Sequence, residues 1–198
     1  MNLVCLDLEG VLVPEIWIEF SKEKNIKELS LTTKDEPDYD KLMKLRINTL
    51  EKHGYGIDEI CNTIEKIDPF EGAKEFLDEL RDLSQTMILS DTFEEFSKPI
   101  MKKLGMPVVL CNKLIIENKK VVDYKMRVSN SKYTTVKAFH SIGYDTIAVG
   151  DSFNDIGMIR ASKAGFLFKP SELTRKENPD LKVVDSYEEL LSEIKKVL

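Results

Sequence analysis

The stretch "VCLDLEGVLVPE", residues 4–15, decides the fold. A short apolar run delivers Asp7, one more apolar residue, then Glu9 and Gly10. Two carboxylates at the exit of a buried strand are a costly placement for negative charge. Further strand-length apolar runs lie downstream: "TMILSD" at 86–91, "PVVLC" at 107–111, "TIAVGD" at 146–151, "AGFLF" at 164–168 and "KVVD" at 182–185. Several are separated by helical patterns. "AKEFLDELRDL" (73–83) sets Phe76, Leu77, Leu80 and Leu83 at helical spacing, and "FEEFSKPIMKKLG" (93–105) and "SKYTTVKAFHSIG" (131–143) behave similarly. Strand alternating with helix predicts an α/β fold: a doubly wound, Rossmann-like parallel sheet covered on both faces.

Two segments break the alternation. Between Pro14 and Asp68 lie helical patterns without a convincing strand: "EIWIEFSKEKNI", "DYDKLMKLRINTLEKHG" and "IDEICNTIEKI". That span is too long for an ordinary connection. It predicts a helical cap subdomain, 14–68, inserted into a core made of 1–13 and 69–198, with "DPFEG" (68–72) returning the chain. "LIIENKKVVDY" (114–124) reads as a β-hairpin turning at Asn118 and Lys119.

Composition narrows the function. The 198 residues are 42% hydrophobic and 32% charged, ordinary globular values, with a formal net charge of −6. Scattered basic residues and an acidic balance argue against a nucleic-acid partner. No apolar stretch is long enough to span a bilayer. The N-terminus lacks a basic region, and the three cysteines (Cys5, Cys61, Cys111) show no metal-ligand spacing, so a cytoplasmic, reducing setting is expected.

The residues after each strand carry the chemistry. The first strand exits into Asp7 and Glu9, the second into Ser90, Asp91 and Thr92, and a later one into Asp151, Ser152, Asn154 and Asp155. Each motif alone serves equally as a turn or helix cap. In an open parallel sheet, however, these strand ends converge on one crevice. Gathering Asp7, Glu9, Asp151 and Asp155 there creates repulsion that a divalent cation would relieve. Oxygen-only donors fit a hard ion, Mg²⁺ best. Such an ion with a carboxylate, a hydroxyl and a lysine is equipment for phosphoryl transfer. No Gly-rich loop ending in Gly-Lys-Ser/Thr is present, so a nucleotide kinase is unsupported.

These motifs resemble the haloacid dehalogenase-like phosphohydrolases. Within them, "CLDLEGVLVPEIWI", "TTKDEPDYDKLMKLR", "ILSDTFEEFSKPIM" and "GDSFND" look like phosphoserine phosphatases, in particular those that also act as phosphoserine:homoserine phosphotransferases. The resemblance implies a haloacid dehalogenase-like core and Mg²⁺ as cofactor. It makes Asp7 the nucleophile and a metal ligand, and Glu9 the general acid/base whose main-chain carbonyl also meets the metal. Ser90 and the main chain at Asp91 would hold phosphate, with Lys132 bridging phosphate and nucleophile. Asp151 would ligate the metal, Asp155 support it, and Asn154 contact substrate. Glu15 and Arg46 would grip the ammonium and carboxylate of phosphoserine, an arrangement that is also chemically sensible by itself.

Two positions depart from the commonest family pattern: Glu9 where Asp is usual, and Asp91 where Gly is frequent. The extra methylene of Glu9 moves its carboxyl by up to about 1.5 Å. That shift bears on whether water or an alcohol such as homoserine accepts the phosphoryl group. Two alternatives stay open: a phosphatase of another small phosphomonoester, a sugar or nucleotide, and a non-enzymatic receiver-like phospho-switch. His53 and His140 read as surface or helix-end residues, and Trp17 with Phe20 as core of the insertion rather than a binding platform. A homodimer is compatible with the sequence.

Overall fold

The computed structural model describes residues 1–198 except 34 and 37. Seven strands form one sheet: β1 Asn2–Leu6, β2 Gln85–Phe93, β3 Val109–Glu117, β4 Lys120–Lys125, β5 Asp145–Gly150, β6 Ala164–Phe168 and β7 Lys182–Val184. Their spatial order is β4-β3-β2-β1-β5-β6-β7, parallel throughout except for the antiparallel β3–β4 pair. The helices are α1 Ile16–Lys24, α2 Tyr39–His53, α3 Ile57–Ile64, α4 Ala73–Leu83, α5 Glu94–Lys103, α6 Ser131–Ser141, α7 Ile156–Ala161, α8 Glu172–Glu177 and α9 Tyr187–Lys195.

Period-two alternation sorts the strand side chains onto two faces. Val4, Leu6, Ile147, Val149, Phe166 and Phe168 fall in one apolar cluster with residues of α4, α5 and α9. Leu3, Cys5, Ala148 and Leu167 fall in a second with Val136, Met158 and Ile159 of α6 and α7. Both faces being covered is why the strands read as unbroken apolar runs. Leu83 is the exception on its helix, left 44% exposed at the α4 terminus.

The chain leaves β1 toward β2 on one side, and reaches β5 on the other side of β1 only later. The crevice between the carboxyl ends of β1 and β5 is therefore where the winding reverses, the position at which such sheets bind ligands. In the region expected as a hairpin, the "PVVLC" run does not end at Cys111. It continues as one strand to Glu117, pairing with β2 at its start and β4 at its end. Asn118 and Lys119 make the turn at φ 48° and 67°, both left-handed as a tight two-residue hairpin requires.

Helices α1 to α3 occupy the span between β1 and α4. Asp38 caps α2 by accepting from the Asp40 and Lys41 N–H groups, and Gly54 ends it at φ 70°. Ile16, Trp17, Phe20, Leu50 and Ile60 from these helices belong to the same apolar cluster as Val4 and Leu6. In α5, Pro99 lacks the N–H that would reach the Glu95 carbonyl. The Cys61 thiol of α3 occupies that carbonyl instead, at 3.8 Å.

Candidate active site

A cavity of about 580 Å³ lies at the carboxyl ends of the strands, beneath the inserted helices. Asp7, Glu9, Glu15, Arg46, Ser90, Asp91, Lys132 and Asn154 all line it. Asp151 and Asp155 stand behind the lining, next to Asp7.

Asp7 is carried out of the sheet by β1 and is 4% exposed. Its Oδ1 accepts from the Leu8 N–H at 2.7 Å and pairs with the Lys132 ammonium at 2.9 Å. Lys132, in the first turn of α6, is buried and also donates to Asp155 Oδ1 at 2.6 Å. Asp155 is fully buried, and its Oδ2 accepts from the N–H groups of Asp151 and Ser152, each at 3.1 Å. Burial and the neighbouring Asp155 push the Asp7 carboxyl well above its usual range, although Lys132 pulls the other way. Burial alone would depress Lys132, but the carboxylates of Asp155, Asp7 and Asp91 outweigh it and hold the ammonium charged.

Carboxylate oxygens of Asp7, Asp151 and Asp155 lie within 4.8 Å of one another. One lysine does not neutralise three acids, and an all-oxygen donor set suits a hard divalent cation. The backbone leaves room for this cluster only because of glycine. A Cβ on Gly10, at φ +79°, would meet the Asp151 carboxylate at 2.4–2.6 Å, and one on Gly150 would meet Asp155 at 2.2 Å.

Glu9 turns away from the acidic cluster. Its Oε2 accepts from the Ile16 N–H at 2.7 Å, so it sits against the N-terminus of α1. Desolvation, then the nearby Glu15 charge, push its carboxyl up to about 8, despite the Ile16 hydrogen bond and Arg46. That shift favours the protonated form of this acid near neutral pH.

Arg46, which also lines the cavity, is buried, and its guanidinium lies 4.7 Å from the Trp17 ring centroid. Its Nη2 donates to the Leu31 carbonyl at 2.9 Å. Trp17 is core, as expected, and its ring also supports the Arg46 guanidinium. Exposed Glu15 sits at the α1 N-cap position without a capping bond from its side chain.

A sequence model of the haloacid dehalogenase-like hydrolases matches residues 1–163. The chain belongs to this family. It is therefore a hydrolase, with the acidic cluster suited to the divalent cation that phosphatases of the family generally use. It is 48% identical to "Phosphoserine phosphatase ThrH" of Pseudomonas aeruginosa over 197 residues, covering 99% of this chain and 96% of that protein. It is 46% identical to "Phosphoserine phosphatase" of Pseudomonas syringae pv. tomato, covering 98% of this chain and 82% of that protein. A crystal structure of a phosphoserine phosphatase in apo form superposes with a TM-score of 0.78 at 25% identity, covering 96% of this chain and 97% of that one.

Asp91, expected from the sequence to depart from the commonest family pattern, has a use in the structure. Its carboxylate accepts from the Ser131 hydroxyl at 2.6 Å and the Asn154 amide at 3.2 Å. Its carbonyl accepts from Asn112 Nδ2 at 3.1 Å and lies 3.5 Å from the Tyr39 hydroxyl. One residue therefore ties the end of β2 to β3, α2, the start of α6 and the loop after β5. Sequence reasoning placed Thr92 at the crevice without a role, and missed Ser131, Tyr39 and Asn112. Ser131 adjoins the motif lysine Lys132, a signal that could have found it. Tyr39 and Asn112 are joined to Asp91 only by the fold.

Proposed function

We propose that this hydrolase cleaves O-phospho-L-serine to L-serine and phosphate in a Mg²⁺-dependent reaction, with homoserine as a second phosphoryl acceptor. One observation carries the reading: a single cavity is lined both by Asp7, Ser90 and Lys132 and by Arg46 and Glu15. A phosphate, a carboxylate and an ammonium on one small molecule match those two sets of groups. The closely similar proteins named phosphoserine phosphatase support the same substrate.

On this reading Asp7, Asp151 and the Glu9 main-chain carbonyl would hold Mg²⁺, with Asp155, already engaged by Lys132 and two N–H groups, in support. When bound, the ion would supply positive charge to offset the carboxylates and the phosphate. The Asp7 carboxylate attacks phosphorus and forms an aspartyl-phosphate while Ser90, the Asp91 main chain and Lys132 hold the phosphoryl oxygens. Protonated Glu9 gives its proton to the departing serine oxygen, then removes one from the acceptor that attacks the intermediate. Asn154, Glu15 and Arg46 orient the substrate. Residues 14–68 act as a cap that excludes water from the core formed by 1–13 and 69–198. The reading includes a cytoplasmic setting.

The test is phosphate release from phosphoserine with Mg²⁺ or EDTA, wild type against Asp7→Asn, with and without homoserine. Activity should need Mg²⁺ and vanish in Asp7→Asn, and ³¹P NMR should show phosphohomoserine when homoserine is present. Inorganic phosphate as the sole product sinks the transfer half. Turnover untouched by Arg46→Ala would favour a sugar or nucleotide phosphate instead. Membership of a hydrolase family leaves the receiver-like switch without support.

A further inference from the structure

Asn154 lies on the short 3₁₀ turn after β5, is exposed, and lines the cavity. An exposed side chain gives up rotamer freedom when a ligand fixes it. Here two neighbours fix it beforehand. The Ser152 hydroxyl donates to Asn154 Oδ1 at 2.6 Å, and Asn154 Nδ2 donates to Asp91 Oδ2 at 3.2 Å. The Asp91 bond decides which way round the amide sits. A hydroxyl can donate or accept, so Ser152 alone would admit either flip. A carboxylate only accepts, so the NH2 must face Asp91.

Asp91 is fixed in its turn. Leu89 pairs with Leu110 and Phe93 with Asn112, so residues 90–92 oppose Cys111 alone. This bulge breaks the alternation of β2 and brings Asp91 into the cavity lining together with Ser90. The Asp91 carbonyl accepts from Asn112 Nδ2 at 3.1 Å, and its Oδ1 accepts from the Ser131 hydroxyl at 2.6 Å. Ser131 is 5% exposed and opens α6, one residue before Lys132. With one carboxylate oxygen held by a buried residue, the other is left for Asn154. An amide has two N–H donors, and only the one given to Asp91 has a partner among the described residues.

We infer that Asp91 is a positioning residue: its carboxylate sets the Asn154 amide so that the second N–H donates to the substrate's phosphoryl group. The amide adjoins the phosphoryl side of the cavity, because Asp91 links it to Ser131, and the next residue, Lys132, pairs with Asp7 at 2.9 Å. This deepens the proposed function and rests on its phosphatase chemistry, in which Asn154 touches substrate. Acting through Asn154 makes the contribution of Asp91 conditional on that side chain.

A double-mutant cycle tests this dependence, with wild type, Asp91→Asn, Asn154→Ala and the double variant assayed with Mg²⁺ on phosphoserine and on p-nitrophenyl phosphate. Asp91→Asn is nearly isosteric but offers an NH2 as readily as an oxygen, so it no longer dictates the flip. It should lower kcat/KM about ten-fold on both substrates, which share only the phosphate. In the Asn154→Ala background the same substitution should cost less than about three-fold. A second readout is independent of turnover. In ¹H–¹⁵N spectra the Asn154 NH2 is identified by its absence from Asn154→Ala. Its signals should shift when inorganic phosphate is added to wild type with Mg²⁺, and clearly less in Asp91→Asn. An Asp91→Asn loss as large without Asn154 as with it, no loss at all, or an amide that ignores phosphate in wild type would each overturn the inference. If wild type turns over p-nitrophenyl phosphate but not phosphoserine, the phosphoserine reading falls and the cycle still judges Asp91. A wild type inert toward both overturns the phosphatase chemistry and this inference together.

Discussion

Single residues in this site act through charge they cannot shed. Lys132 has a side chain 3% exposed and serves two acids, Asp7 at 2.9 Å and Asp155 at 2.6 Å. Breaking a buried ion pair from one side leaves the other charge stranded, typically at about 3–5 kcal/mol. Lys132→Met keeps the stem's bulk but strands both carboxylates. It should lower the unfolding free energy by about that amount in urea titrations with EDTA, and by less with saturating Mg²⁺, which replaces part of the lost charge. Stability within about 0.5 kcal/mol of wild type under EDTA would mean that the acids find protons or other partners more easily than this geometry implies. Glu9 is the contrasting case. The acid that opens the strand exit does not share the cluster at all, because one extra methylene lets it reach the α1 N-terminus at Ile16. Its sequence position beside Asp7 was legible. Its direction was not, since direction depends on where the inserted helix begins.

At the scale of elements, the segment following β1 is held from two sides. Within residues 8–13, Gly10 N–H donates to the Val13 carbonyl at 2.8 Å and Leu12 N–H to the Leu8 carbonyl at 2.8 Å. From outside, Phe70 N–H reaches the Leu12 carbonyl at 2.9 Å, and the Tyr187 hydroxyl of α9 reaches the Val11 carbonyl at 2.6 Å. Tyr187 is itself clamped between Phe76 and Phe168, with ring centroids 5.0 and 4.8 Å away. The C-terminal helix thereby steadies the turn that carries Glu9 and leads to Glu15. Tyr187→Phe removes the hydroxyl and keeps the ring stack. It should lower kcat about ten-fold with little change in KM, since a small misplacement of an acid costs rate before binding. Stability should fall by only about 1 kcal/mol. An unchanged kcat in steady-state assays would show that the turn holds its shape without this bond. No sequence signal pointed to Tyr187, 176 residues from its partner. The strand runs and their terminal acids were readable because they are local. The bulge at 90–92 was not, because it exists only as a register against β3.

For the molecule as a whole, the alternation of apolar runs and helical patterns was enough to read the wound sheet, and the helical patterns within 14–68 are filled by α1 to α3. How firmly those three helices are joined to the sheet follows from packing. Trp17 stands edge-on to Phe96 of α5 at 5.6 Å, and Phe96 to Phe93 of β2 at 5.4 Å. Cys61 of α3 occupies the carbonyl that Pro99 of α5 cannot use. Ile16, Phe20, Leu29 and Met43 of the insertion are fully buried in the same cluster as Val4 and Ile147 of the sheet. Elements that share one core lose most of their burial together, so they unfold as one cooperative unit. Trp17 makes this directly measurable because it is the only tryptophan in the chain, and it sits in the insertion. Urea unfolding followed by its fluorescence and by far-UV circular dichroism should give coincident curves with one midpoint. A fluorescence midpoint at clearly lower urea would instead mean that the helices over the cavity come away while the sheet stays folded. Closure over substrate would then involve a loosely held lid, rather than helices that share one core with the sheet.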